Sequence, residues 1–141
     1  MTIDEALQAA LGVEHQVVYG YGLAAAHLTK TRYTSALTAL ADAETRRDLL
    51  ADLLRRLGQV PSPAAPAYLP PTAVTDAATA VALCLRLEQA AEGAAWDLVA
   101  ASSPGDDVRK LGVHWLGVAA VNAAKWAGNA STEPALPGQP Q

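Results

Sequence analysis

Three glutamates, Glu14, Glu44 and Glu88, stand where the hydrophobic rhythm of this sequence calls for apolar side chains. At about 100° per residue, Glu14 falls in angle among Leu7, Leu11, Val18 and Tyr21, and Glu88 among Val81, Cys84, Ala91 and Ala95. Glu44 falls beside Leu37 and Leu40. An uncompensated buried carboxylate costs several kcal/mol, so carboxylates that converge inside a protein require something positive between them. One solution is metal. Dinuclear iron or manganese sites in helical bundles use inward glutamates on two helices and Glu-x-x-His on the other two. No Glu-x-x-His occurs here, and the residue three after Glu44 is Arg47, which cannot ligate a metal but can fork to carboxylates. The polar pair nearest the centre on the last helix, Asn122 and Lys125, offers a second cation.

These positions predict a buried central cluster of Glu14, Glu44, Arg47 and Glu88, with the Tyr21 hydroxyl bonded to one of the carboxylates. Arg47, helped by Lys125, takes the place of metals. On this reading the chain has no catalytic residue, no cofactor and no enzymatic activity. The alternative is an iron or manganese site built from Glu14, Glu44, Glu88 and His15, serving an oxidoreductase or iron-handling role with an altered ligand set. His15 lies about 100° from Glu14 around the helix, His114 is similarly displaced, and His27 is near a helix end, so all three read as boundary or surface residues. Cys84 on an apolar stripe reads as an inert core residue. There is no glycine-rich phosphate loop, nucleophile elbow or Ser/His/Asp arrangement.

Four helices must position these groups. Thr2-Ile3-Asp4-Glu5 has the spacing of a capping box, which starts helix 1 at Thr2, and its stripe is Leu7, Leu11, Val17, Val18, Tyr21, Ala25 and Leu28. Gly12, Gly20 and Gly22 interrupt that helix, which is easiest to understand if another backbone packs close to them. Helix 2 is expected from about Tyr33 to Leu57 with Leu37, Leu40, Leu50, Leu54 and Leu57 inward, and Gly58 follows as its C′ residue. Helix 3 starts after Thr75 or Asp76 and runs to about Ala101, and helix 4 runs from about Asp107 to Ala127. Residues 1–128 form one domain, and residues 129–141 read as a mobile tail.

Between helices 2 and 3 the chain carries five prolines within residues 61–71. In polyproline II geometry residues 58–75 reach roughly 50 Å, more than the roughly 37 Å of a 25-residue helix. The segment can therefore return the full length of a bundle and make helices 2 and 3 parallel. Short connections elsewhere and one long Pro-rich crossover describe an all-α, ferritin-like up-down four-helix bundle.

At 141 residues the chain is one domain, and its 51% hydrophobic content supplies one core. Abundant alanine with no phenylalanine suits closely approaching helices better than a β-sandwich. A net charge of −4 argues against nucleic acid or an anionic membrane as partner, and no stretch reads as a signal peptide or a membrane span, so the cytoplasm is expected. Trp96 lies outside the helix 3 stripe with Leu85, pointing to a homodimer contact; a protein partner or a small ligand is the other expectation.

Glu14-His15 followed by Tyr19-Gly20-Tyr21-Gly22, Arg46-Arg47-Asp48, Pro66-Ala67-Tyr68, Val74-Thr75-Asp76 and Leu87-Glu88 resembles a bacterial ferritin-like domain family of unknown function. The match runs in order from about residue 5 to Trp126. The resemblance implies the ferritin-like bundle and draws attention to Glu14 and Glu88. It implies no activity, and the missing Glu-x-x-His positions separate this chain from iron-oxidising ferritins.

Overall fold

The computed structural model describes residues 1–130 and is all α, with four helices and no strand among the described residues. Helix α1 spans Ile3–Ala25 and opens on the capping box: Glu5 N–H donates to Thr2 Oγ1 and Thr2 N–H to the Glu5 carboxylate, each at 3.2 Å. Helix α2 spans Lys30–Arg56, three residues longer at its start than the sequence suggests, and its first residue Lys30 has a positive φ of 55°. It closes in a Schellman motif, with Gly58 at φ +76°, Gly58 N–H donating to the Arg55 carbonyl and Gln59 N–H to the Leu54 carbonyl. Helix α3 spans Ala77–Ala101 behind an Asp76 cap that accepts from Thr79 N–H at 2.8 Å. Helix α4 spans Asp107–Ala130, past the expected end at Ala127. The expected tail falls, from residue 131 onward, outside the described residues.

Helix α1 packs against α2 and α3, and α3 packs against α4, while α2 and α4 scarcely touch. Two apolar clusters form the core. One joins Val17 and Tyr21 of α1 to Ala36, Ala39 and Ala43 of α2, to Val81, Cys84 and Leu87 of α3, and to Trp126 of α4. The other joins Leu7 and Leu11 to Leu50, Leu54 and Leu98. On α1 the clusters are separated by Glu14, on α2 by Arg46 and on α3 by Glu88. A single polar layer thus cuts the core in two. The pairing of late α1 with early α2 and early α3 also makes α1 run opposite to both.

The inward face of α2 differs from the one read off its leucines. Ala36, Ala39, Ala43, Leu50 and Leu54 are buried, whereas Leu37 is 40% and Leu57 50% exposed. The face is rotated by about one residue, because small alanines let α2 approach α1 closely while contributing little to a hydrophobicity pattern. That rotation decides which charged residues of α2 reach the interior. Of the helix 1 glycines, only Gly20 is tightly approached: a Cβ there would lie 2.6 Å from Leu87 Cδ1, while Gly12 and Gly22 face open space. The closest backbone approach is instead at Gly112 of α4, whose Cβ would lie 3.3 Å from the Ala95 carbonyl oxygen.

Residues 57–76 between α2 and α3 are fastened to α1. Gln8 donates from Nε2 to the Val60 carbonyl at 2.7 Å and accepts on Oε1 from the Ser62 N–H and hydroxyl, both at 3.0 Å. Further along, Tyr68 meets Tyr19 edge to face with ring centroids 5.8 Å apart.

Candidate functional site

The polar layer draws one or two side chains from each helix. Glu14 of α1 is only 4% exposed, and its Oε1 accepts a hydrogen bond from Arg46 Nε at 2.9 Å. The Arg46 side chain, reaching in from α2, is 11% exposed. Glu88 of α3 is 1% exposed and is held from two sides. Tyr21 donates its hydroxyl proton to Glu88 Oε1 at 2.5 Å, and Asn122 Nδ2 approaches the same oxygen at 3.5 Å. Trp126 Nε1 in turn donates to the Tyr21 hydroxyl oxygen at 3.0 Å. The sequence Trp126 to Tyr21 to Glu88 is therefore a one-way chain of donors that ends on a carboxylate, and each link crosses between helices.

Burial dominates the electrostatics of this layer. Loss of water pushes the Glu14 carboxyl above its ordinary value, and the Arg46 charge and hydrogen bond pull it back only in part. Glu88 is likewise raised, by burial first, against the opposing pull of the Tyr21 hydrogen bond and Arg46. Burial works against the Arg46 charge, but Glu14 and, through space, Glu88 and Asp42 together outweigh it and raise the guanidinium above its ordinary value. Tyr21 is raised by burial and by the Glu88 charge, which keeps its proton in place as the donor. Cys84 is pushed up to about 12 by burial and Glu88, so its thiol stays protonated and unreactive. Glu14 Oε2 is buried with no hydrogen-bond partner among the described residues, and a cavity of about 10 Å³, lined by Glu14, Arg46, Glu88 and Trp115, adjoins it. That is about the space a single water requires.

The structure brings together Glu14, Tyr21 and Glu88 and separates them from the other expected members. Glu44 is exposed, pointing away from the layer by roughly the 100° that separates it from buried Ala43. Arg47 is also turned outward; its side chain is 31% exposed and its Nε donates to the neighbouring Asp48 at 3.0 Å. The cation is Arg46, one position earlier, which shares a face with Ala39, Ala43 and Leu50. Lys125 is exposed and takes no part. His15, the fourth residue of the metal alternative, turns to the 57–76 connection, where its Nε2 donates to the Ser62 carbonyl at 2.9 Å. His114 is exposed and His27 half-buried. Sequence reasoning missed Arg46, Asn122 as a Glu88 partner, and Trp126 as the donor to Tyr21. The one available signal for Arg46 was its spacing from Ala39, Ala43 and Leu50.

Among the described residues no group of three or more His, Cys, Asp or Glu side chains is placed to hold an ion. Glu14 and Glu88 line one small cavity together with the Arg46 guanidinium, whose charge opposes a second cation at that spot. No helix of the described residues is long and apolar enough to cross a membrane.

Comparison with known proteins adds a family and a neighbour. A family profile described as a domain of unknown function, DUF4439, matches residues 6–141. The crystal structure of a conserved hypothetical protein, rv2844, from Mycobacterium tuberculosis is similar over 98% of this chain and 97% of that one, with 30% identity and a TM-score of 0.87. No curated protein matches.

Proposed function

The chain belongs to the DUF4439 family, a domain of unknown function, and from that premise we propose a non-catalytic, ferritin-like helical module whose polar layer is neutralised by its own guanidinium where metal-binding bundles hold cations. The observation that carries this reading is the buried Arg46–Glu14 ion pair, at 2.9 Å, lying between two apolar clusters. The ferritin-like arrangement is supported by the opposite directions of α1 and of both α2 and α3. It is also supported by the attachment of residues 57–76 along α1 from Gln8 to Tyr19, the course a crossover connection takes. The layer positions helices rather than reacting atoms: each buried polar group ties one helix to another, and the Tyr21 hydroxyl proton is committed to Glu88.

Elemental analysis of protein purified without chelators tests the reading. The expectation is iron and manganese far below one equivalent per chain, with no change in Glu14→Gln or Glu88→Gln variants. Stoichiometric metal that disappears in those variants overturns it. The module is further proposed to act as a homodimer. Trp96, 57% exposed on α3, supports that proposal as the largest apolar side chain left in water.

A further inference from the structure

A second feature lies outside the polar layer. Where α2 and α4 scarcely touch, a groove of about 230 Å³ opens between them. A seam between neighbouring helices is ordinarily filled by interlocking apolar side chains. Here α2 lines it with Thr31, Thr34, Ser35, Thr38 and Asp42, a polar stripe with i, i+3, i+4, i+7 and i+11 spacing. The α4 wall presents Asn122 and Lys125, and buried Trp126 closes the floor. The groove is kept open by the chemistry of its walls, since hydroxyls and a carboxylate on α2 and an amide and an ammonium on α4 leave little to drive the helices together.

Several of these groups make no direct hydrogen bond or ion pair, while Asn122 and Trp126 are turned to Glu88 and Tyr21. Thr34 spends its hydroxyl proton on the Lys30 carbonyl at 3.3 Å and keeps its acceptor lone pairs. Among the described residues, no hydrogen bond or salt bridge engages the side chains of Thr31, Ser35, Thr38, Asp42 or Lys125. The groove therefore holds on α2 the Asp42 carboxylate, which feels Arg46 only through space, on α4 the Lys125 ammonium, and hydroxyls between them. Its volume falls below the ~300–1,000 Å³ of pockets for drug-sized ligands, which limits the occupant to a small metabolite.

We propose that the α2–α4 groove binds a small zwitterion of the amino-acid class, its ammonium on Asp42, its carboxylate on Lys125, and its neutral part against the Thr/Ser hydroxyls and the Trp126 floor. A simple anion would face Asp42 unpaired, and a simple cation would face Lys125. A neutral polyol would strip water from both charges without replacing it. Only a molecule carrying both charges satisfies both walls. The proposal is independent of what neutralises the polar layer.

The test is a nuclear magnetic resonance titration of the full chain with the α-amino acids and with ω-amino acids of two to six carbons. Butyrate, butylamine and glucose are the singly charged and neutral controls. The indole N–H of Trp126 and the amides of Thr38 and Asn122 are the reporters. The expected result is saturable shifts at these reporters for one or more zwitterions. Asp42→Asn and Lys125→Met should each weaken binding roughly tenfold, as loss of one charge-assisted hydrogen bond does. Lys110→Met, on the exposed first turns of α4, should not. Equal affinity for butyrate, butylamine or glucose overturns the proposal. So does unchanged binding in both groove variants, or the absence of saturable shifts for every zwitterion at tens of millimolar.

Discussion

Replacing Arg46 with methionine removes the cation of the polar layer while keeping most of the side-chain volume, and it exposes the energetics of Glu14 most directly. In the variant the Glu14 carboxylate, 4% exposed in the present structure, loses the one hydrogen-bond partner it has among the described residues. Breaking a buried pair in this way costs about 3–5 kcal/mol when the remaining charge cannot escape. Glu14 does have an escape, because it can take up a proton. Starting from its ordinary value of 4.5, holding the carboxyl protonated at pH 7 spans two and a half pH units at about 1.36 kcal/mol each, an upper limit of about 3.4 kcal/mol. At pH 5 the same limit is about 0.7 kcal/mol. Urea unfolding followed by tryptophan fluorescence and circular dichroism should therefore show a loss of about 3 kcal/mol at pH 7 that shrinks to about 1 kcal/mol at pH 5. Arg47→Met, whose target sits 31% exposed beside Asp48, should change stability by less than about 0.5 kcal/mol at either pH. A pH-independent loss for Arg46→Met, or an equal loss for Arg47→Met, would refute the assignment of Arg46 as the buried counter-ion.

Three further outcomes follow from the same structure. Glu14 and Glu88 titrate above their ordinary value of 4.5 because burial disfavours their charged forms, so the folded state binds protons more tightly than the unfolded state. Their contribution to stability must then fall as pH rises from 4.5 through their folded values; urea midpoints should be higher at pH 5 than at pH 7, a difference reduced by Glu88→Gln. Gly12→Ala, at a helical position whose new Cβ meets nothing within 4 Å, should stabilise by about 0.5–1 kcal/mol in thermal melts, whereas Gly20→Ala should gain less because Leu87 must move. Trp96→Asp should shift sedimentation from dimer to monomer without lowering helix content, and an unchanged sedimentation coefficient would remove this face from the proposed dimer.

How much of this was legible depends on range. Signals confined to a few residues read directly: Thr2 and Glu5 mark the start of α1, Gly58 the end of α2 and Asp76 the start of α3, because each cap is completed by its own neighbours. Glu14 and Glu88 stood out because a strong apolar stripe surrounds them. The stripe of α2 is weak, since Ala36, Ala39 and Ala43 pack well while weighing little in any hydrophobic pattern. The leucines at 37 and 57 then pulled the apparent face round by about one residue, and Arg46 and Arg47 exchanged roles. The hold of Gln8 and His15 on the 57–76 connection, and the groove between α2 and α4, depend on pairs distant in sequence and on helices that do not pack. Local periodicity contains neither.

The same alanine-rich face of α2 explains why a charged pair belongs in the middle of the molecule. Interlocking of large side chains is what normally fixes how far one helix slides along another. The alanines at 36, 39 and 43 offer no knobs for that purpose, so along this half of α2 only the more distant Leu50 and Leu54 resist a shift by a turn against α1. The Arg46–Glu14 bond forbids the shift, because any other register buries a charge without its partner. Exchanging both residues at once, as Glu14→Leu with Arg46→Met, removes the desolvation of two charges and should leave stability unchanged or raise it by about 1–4 kcal/mol. The cost should appear elsewhere: broadened or doubled amide signals along α2 and faster hydrogen exchange at Ala39 to Leu50, the marks of several registers in exchange. A double variant that is more stable and still gives one sharp set of signals would show that the remaining side chains already define the register, and would leave the buried pair without a structural reason.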